Sequence, residues 1–416
     1  MALRHRVLRL AARALQERLN ADLSDHRGPT LPCPCGGVAR YVGRRTKGFQ
    51  TVLGELTLER AYFHCVDCGE GFCPRDRALG LEGGSLSPAL IRMVGAVGAM
   101  VSFAEGSELL RDLAGVTVEA KQVERTAEAL GQEIAADERR VVEPVPDAEI
   151  APTLYLGMDG TGVPMRASEV AGRAGKQADG SAKTREVKLC TIWSAESRDD
   201  EGTPVRDEGS VSYSAAIESA ATRDTDPDPA EFAERVAREA MRRGFERAPR
   251  RAVLGDGALW IWNLADEHFP GAIQIVDRFH AKQYLSLVAK AIYGPTSELA
   301  APWAKARHDE LDAGTLSAIV RALKGHATVR EARNCIQYLW RNRRRMRYPQ
   351  FRAQGLCTST AVTEAGCKLT VGARLKRAGM HWTVRGANAI VALRCCRLSR
   401  RFEDFWARRA QARGAA

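Results

Sequence analysis

The chain has 416 residues, 45% of them hydrophobic, and 62 Lys and Arg against 51 Asp and Glu give a formal net charge of +11. That length supports two or three domains around packed cores. No apolar run reaches the roughly eighteen residues of a membrane-spanning helix, and the Arg-rich start MALRHRVLRLAARALQERLN lacks the continuous apolar stretch of a secretory signal.

Residues 1–30 are predicted as an N-terminal amphipathic helix, with a transit peptide as the other reading of the same stretch. Residues 31–76 read as a small β-rich unit, in which ARYVGRR, FQTVLG and ELTLERAYFHC alternate apolar and polar residues as short strands. Two Cys pairs bracket them, Cys33 with Cys35 in LPCPCGG and Cys65 with Cys68 in HCVDCGEGF. Without a secretory signal, metal binding is preferred over disulfides, and thiolates from two turns complete the tetrahedral Zn²⁺ site of a zinc ribbon. The second pair has the usual two-residue spacer and the first has one, so Cys73 or His64 stands as a substitute ligand. Reduced core cysteines are the alternative.

From 85 to 142 the pattern turns helical. Ser87-Pro88 heads SPALIRMVGAVGAMV, and SFAEGSELLRDLAG and VTVEAKQVERTAEALGQEIAADE follow across a turn at Gly115. A short helix, a tight turn and a second helix with Lys121, Gln122 and Arg125 near its start form a helix-turn-helix layout, able to set those side chains in a DNA major groove. A helical hairpin packed on another element fits the pattern equally well. EPVPDAEIAP then reads as a linker.

Residues 151–280 alternate strands and helices. TLYLGMDGTGVPM, EVKLCTIWSAES, RRAVLGD and AIQIVD are strand patterns. AEFAERVAREAMRRGF, capped by Asp228-Pro229 and stopped at Gly244, and GALWIWNLADEHF are helical. The expectation is a mixed α/β sheet with Asp159, Asp256 and Asp277 at the ends of apolar runs. Residues 281–355 read as helical, with an Arg-dense stretch RNRRRMRYPQFR that holds Arg343, Arg344 and Arg345. Residues 356–398 contain Glu364, and 399–416 read as a basic tail. From Phe279 onward 26 Lys and Arg face 8 Asp and Glu, a balance of +18, while the residues before it balance at −7. Polyanion binding by the basic half follows, since neutralising phosphates releases counterions.

Phosphoryl chemistry needs neutralisation of both the attacking and the leaving oxygen, which two Mg²⁺ (or Mn²⁺) ions about 3.5–4 Å apart supply when held by hard oxygen ligands. Asp159 and Asp256 are the first two candidate ligands. Glu364 is the third, the one acid between Glu331 and Glu403 among sixteen Lys and Arg, preceded by small and hydroxyl residues that permit close approach. Lys368, Arg374, Lys376 and Arg377 follow it as candidate DNA contacts, and Trp382 as a residue that stacks on an unpaired base. The plainer readings are a Glu364–Lys368 pair across one helical turn and a Trp382 buried in a helix-packing face.

These residues resemble a known family. CPCGG with HCVDCGEGFCPRD, SFAEGSELLRDLAGV, LGMDGTGVP, LGDGALWIWN, VDRFHAKQYL and VTEAGCKLTVGARLKRAGMHWTVRGANAIVALR are similar to bacterial insertion-sequence transposases of the ISKra type, DDE transposases with an RNase H-like core. The resemblance covers nearly the whole chain. It implies an α/β RNase H-like core with an all-helical insertion, preceded by the zinc ribbon and the helix-turn-helix-like domain. It implies catalysis by Asp159, Asp256 and Glu364 with two Mg²⁺ ions, cutting and joining DNA at insertion-sequence ends. Asp277-Arg278-Phe279-His280 resembles the D-x-x-H element of mutator-type relatives, which would make Asp277 and His280 auxiliary active-site residues; a helix N-cap and a packed His are the plain reading. The implied partners are double-stranded DNA, as terminal inverted repeats and as target, and a second copy of the chain on that DNA, in the bacterial cytoplasm. Family members often carry a longer N-terminal region, which would make this copy a shortened one. The rivals are a DNA-binding regulator with an idle core and an RNase H-like structure-specific nuclease.

Overall fold

The computed structural model of the chain describes residues 2–220 and 231–414. It divides into two compact units, residues 1–134 with 400–416, and residues 135–399. The expected helix cap at Asp228-Pro229 lies outside the described residues. No described helix is long and apolar enough to cross a membrane.

The first unit opens with helix α1 (Ala2–Ala21), followed by a four-stranded antiparallel sheet of β1 (Thr30–Pro32), β2 (Val38–Thr51), β3 (Gly54–Cys65) and β4 (Gly71–Phe72). The two short strands expected over 39–54 are one long strand, β2, which bends at a bulge between Tyr41 and Gly43 instead of breaking. β4 pairs β3 only at Phe63 and His64, so the rest of that edge of β3 has unpaired backbone groups. α1 satisfies them with amide side chains: Thr57 N–H donates to Gln16 Oε1 (2.7 Å), Glu59 N–H donates to Asn20 Oδ1 (3.0 Å), and Asn20 Nδ2 donates to Thr57 O (3.0 Å).

After α2 (Pro74–Ala78), Ser87 accepts from Leu90 N–H (3.4 Å) with Pro88 in the first turn, and α3 (Pro88–Met100) begins. Ser102 and Glu105 close a capping box at the head of α4 (Phe103–Leu109), whose π-helical continuation (Leu110–Ala114) ends on Gly115 at φ 71°. Residues 115–119 lead into α5 (Ala120–Arg140). Leu90, Val94, Leu110, Val118 and Val123 bury a common core between these helices. The C-terminal segment, expected as a basic tail, is a helix over Phe402–Gly414 in this unit, tied by Arg92–Glu403 and by Arg409–Glu133 (2.7 Å).

The second unit is built on a five-stranded mixed sheet. Its strands are β5 (Thr153–Pro164), β6 (Thr184–Ser194), β9 (Ser212–Ala216), β10 (Arg250–Gly255) and β11 (Ile273–Val276), in the order β11-β10-β5-β6-β9. A two-residue hairpin, β7 (Ser197–Arg198) with β8 (Pro204–Val205), follows β6, and the short α6 (Ala167–Val170) follows β5. β5, β6 and β9 are antiparallel; β10 and β11 join β5 in parallel, which requires crossovers. α7 (Glu231–Arg242) and α8 (Leu259–His268) supply them. β6 is buried on both faces from Val187 to Ser194, as a covered central strand must be.

Beyond β11 come α9 (Arg278–Tyr293), α10 (Ala300–Asp312), α11 (Leu316–Lys324), α12 (Arg330–Asn342) and α13 (Tyr348–Ala353). Their apolar stripes, including Leu285, Leu311, Leu323 and Leu339, merge with the sheet's own core. The chain then returns to the sheet through α14 (Ala361–Cys367), a π-helical turn (Lys368–Gly372), α15 (Ala373–Leu375) and α16 (Val384–Leu398).

Candidate active site

β5 carries Asp159, and Asp256 is the first residue past β10, its parallel neighbour. The pairing of Gly157 with Leu254, continued two residues on, brings Asp256 alongside Asp159. Asp159 accepts hydrogen bonds from Gly160 N–H (2.7 Å) and the Cys367 thiol (3.4 Å). Burial pushes its carboxyl above the usual range and the Asp256 charge adds to this, while the Gly160 N–H, the Cys367 thiol and His280 pull the other way. Asp256 accepts from Ala258 N–H (2.9 Å), and its carbonyl accepts from the Tyr338 hydroxyl (3.2 Å) on α12.

Glu364 arrives on α14, which the sequence holds tightly against β5 and β6. A Cβ at Gly157 would overlap Thr363 Oγ1, and one at Gly366 would stand 3.0 Å from Leu189, Thr191 and Tyr213 atoms. These two glycines let helix and sheet approach, and Thr363 Oγ1 meets Thr191 Oγ1 at 2.8 Å between them. Thr191 and Leu189 thus face α14, while Cys190, of opposite parity, lies near Glu239 of α7 on the other face.

Asp277 holds the head of α14. It is fully buried at the N-cap of α9, where its carboxylate accepts from His280 N–H (2.6 Å), from Thr360 Oγ1 (2.8 Å) and from Thr360 N–H. Of its two readings, the helix N-cap is the one the geometry displays, and the same carboxylate ties the head of α9 to the head of α14. His280 faces Glu364, Nε2 to Oε1 3.6 Å, both side chains about two-fifths exposed (40% and 41%). Asp159, Asp256, His280 and Glu364 therefore share one neighbourhood at the sheet rim. The sequence reading missed Tyr338, Thr360 and Cys367, the side chains that hold the acids there.

Other candidate residues divide by exposure. Lys368 is exposed, and so is Lys376, which donates to Thr161 Oγ1 two residues past Asp159. Arg377 is half-buried. Arg374 and Trp382 correct the expectation of DNA contacts. Arg374 is fully buried with its guanidinium 5.2 Å from the Trp382 ring, and Trp382, 6% exposed, donates Nε1–H to Leu375 O (3.0 Å). The indole packs a helix junction and has no face for a base. Arg343 and Arg344 are exposed; Arg345 is half-buried, donating to Gln274 Oε1 (2.6 Å). In the first unit Lys121 and Arg125 are exposed at the start of α5; Lys121 pairs with Glu124 (2.7 Å) and Gln122 with Thr126 (3.3 Å).

A model of the uncharacterised protein family UPF0236 matches residues 38–402. The chain belongs to that family. No curated protein matches it. Among solved structures, the Drosophila P element transposase strand transfer complex is similar at 10% identity and a TM-score of 0.27, over 82% of this chain and 84% of that one.

In this UPF0236 chain the four candidate zinc ligands come together in the first unit. Cys33 and Cys35 sit between β1 and β2, Cys65 ends β3 and Cys68 lies between β3 and β4, all four Sγ atoms within 4.8 Å of one another. Cys33 and Cys68 sulfurs are 3.7 Å apart, Cys35 and Cys65 3.8 Å. A tetrahedron with Zn–S bonds of about 2.3 Å has edges of about 3.8 Å, so the set fits Zn²⁺. None is in a disulfide, and Gly37 N–H donates to Cys35 Sγ (3.4 Å). The one-residue spacer leaves the set complete without His64 or Cys73.

Among the described residues no other group of three His, Cys, Asp or Glu closes to 4.8 Å. Asp159, Asp256 and Glu364 do not close to that distance. Burial and the adjacent Asp159 push the Cys367 thiol up, so it is a donor to Asp159 and not a thiolate. The donor set is then hard oxygen, which suits Mg²⁺ or Mn²⁺.

Proposed function

We propose that the chain is a DNA transposase that cuts and joins DNA by metal-dependent phosphoryl transfer, with Asp159, Asp256 and Glu364 as the metal-holding acids. The observation that carries this reading is the pairing of Asp159 and Asp256 at the rim of adjacent parallel strands, with Glu364 delivered to the same rim by α14. The sheet order supports an RNase H-like core: three antiparallel strands, then two parallel ones joined through helices, then a helical insertion before the last acid.

Bound there, two Mg²⁺ or Mn²⁺ ions would acidify a water or a 3′-hydroxyl and neutralise the leaving oxygen. The chain's residues do the rest. Asp159 and Asp256 present carboxylates from a rigid sheet, and Glu364 is oriented by the His280 ring beside it. Asp277, through Thr360, fixes where α14 begins. In the first step a water oxygen bonds to phosphorus and the P–O3′ bond breaks, leaving a 3′-hydroxyl. In the second that hydroxyl oxygen bonds to a target phosphorus, the target's own P–O3′ bond breaks, and the departing 3′-oxygen takes up a proton equivalent to the one the attacking hydroxyl loses. The zinc ribbon and the start of α5, with Lys121, Gln122 and Arg125, would read the terminal repeats, two copies of the chain holding a pair of ends.

The test is incubation of labelled candidate end sequences with the full chain and Mg²⁺. The parent should nick and then join. Asp256→Asn should lose cleavage by about 100- to 1,000-fold, the order of loss on removing a principal electrostatic stabiliser, and keep end binding in a mobility-shift assay. Cleavage retained by that variant, or end binding by the parent with no cleavage, overturns the assignment.

A further inference from the structure

The outer side of the helical insertion carries a second feature, separate from the carboxylates. α12 presents Tyr338 to Asp256, and two residues on, about 200° around the helix, Trp340 points elsewhere. Trp340 is 60% exposed, unusual for an indole on a helix whose neighbour Leu339 is buried. It borders a pocket of about 440 Å³ walled by Leu316, Val320 and Leu339, within the range of roughly 300–1,000 Å³ that takes small organic groups. The polar side chains at its rim are Ser317, Arg321, Lys324 and Arg343, with no carboxylate among them. The Arg343 guanidinium lies 5.0 Å from the Trp340 ring centroid and donates to Trp340 O (2.7 Å).

Arg343 also lines a second, polar cleft of about 730 Å³ with Arg341, Arg344, Arg345 and Arg347. Arg345 anchors its wall, stacked 4.6 Å from the Trp262 ring and bonded to Gln274, while Arg341, Arg343, Arg344 and Arg347 are exposed. Asp266 is the one acid lining it. An apolar slot with an indole edge thus continues into a row of guanidinium groups, Arg343 belonging to both.

We infer that this face binds an unpaired stretch of nucleic acid, one base stacking against Trp340 and the flanking phosphates lying on Arg341, Arg343, Arg344 and Arg347. Both halves of a nucleotide find their complement: a planar π-face for the indole and a negative backbone for a cleft with five arginines and one acid. A base inside a duplex has its faces covered by its neighbours, so the indole selects for the single strand. The guanidinium row accepts phosphates of either form. The inference goes beyond the phosphoryl-transfer reading and needs no metal ion at the carboxylates.

The test is fluorescence anisotropy with a labelled oligothymidylate and with the same strand in duplex, on the full chain without added Mg²⁺ or Mn²⁺. Trp340→Ala should weaken the single strand about tenfold, in line with roughly 1–3 kcal/mol for one stacked base, and the duplex much less. Trp340→Phe should keep most of the single-strand affinity. Arg343→Ala with Arg344→Ala should weaken both forms and flatten the salt dependence for the single strand by about 0.7 for each phosphate left without its arginine. Single-strand binding by Trp340→Ala equal to the parent's would overturn the inference. So would a change in sedimentation of Trp340→Ala with oligonucleotide affinity unaltered, which would give the pocket to a second copy of the chain. Because divalent ion is absent, this result stands or falls apart from cleavage.

Discussion

Asp159 sits where a carboxylate is costly: half-buried in β5, beside a second acid, with a raised pKa whose first cause is desolvation. A raised native pKa means that the folded chain holds this proton at pH values where the unfolded chain has released it. Stability then falls as pH rises from the ordinary Asp value of 3.8 through the raised one, and at neutral pH the ionised group costs folding free energy. Asp159→Asn removes the charge and keeps a carbonyl for Gly160 N–H. The variant should melt higher than the parent at pH 7 without added divalent ion, by roughly 2–4 °C for each kcal/mol recovered; an equal or lower melting temperature would contradict this. Such an acid, retained against stability, is expected at a functional site. The sequence exposed it because an apolar run ended in a carboxylate, and it exposed Glu364 because that acid stood alone among cations. It could not expose Cys367, Thr360 or Tyr338, whose partners lie far along the chain. Trp382 and Trp340 look alike in a basic helical context; only the packing puts one indole inside and the other out.

At the scale of elements, local signals set helices and knuckles, while partnership between strands came only from the fold. The Ser87-Pro88 helix start and the Gly115 stop were readable because capping is chemistry within a few residues. That β10 inserts beside β5 was not, since alternation names a strand's faces but not its neighbour. The merging of two expected strands into β2 has the same origin: Thr46, Lys47 and Gly48 fell between the two patterns, and cross-strand pairing with β3 carries the strand through them. Each of the ribbon's two knuckles joins a short strand to a long one and brings two of the four sulfurs, with a small apolar cluster that includes Ala39, Ala61 and Phe63. A metal bound by the four sulfurs would add a cross-link to so small a cluster. Metal analysis of the purified chain should therefore find about one zinc per molecule, as a four-thiolate site binds one ion. Cys65→Ser should lose that zinc and turn the segment around Thr30–Phe72 into a preferred site of limited proteolysis. A zinc-free parent with this segment resistant would remove the site.

For the whole molecule, the charge asymmetry acquires an address. Much of the surplus of Lys and Arg from Phe279 onward lies on the insertion and on the segment after Glu364, in the unit that also holds the three acids. Cations at the edges of an anionic site draw in a phosphate backbone and leave room for divalent ions between it and the carboxylates. The claim on which the rest depends is that Asp159, Asp256 and Glu364, brought from three distant parts of the chain, hold divalent metal together. Iron-directed scission reads this directly. With Fe²⁺ and ascorbate in place of Mg²⁺, and duplex DNA present, radicals released at the bound ion should cut the chain near Asp159, near Asp256 and near Glu364. Excess Mg²⁺ should suppress all three cuts, and Asp159→Asn should abolish them together. Cuts at one of these positions without the others, or a pattern indifferent to Asp159→Asn, would contradict the account.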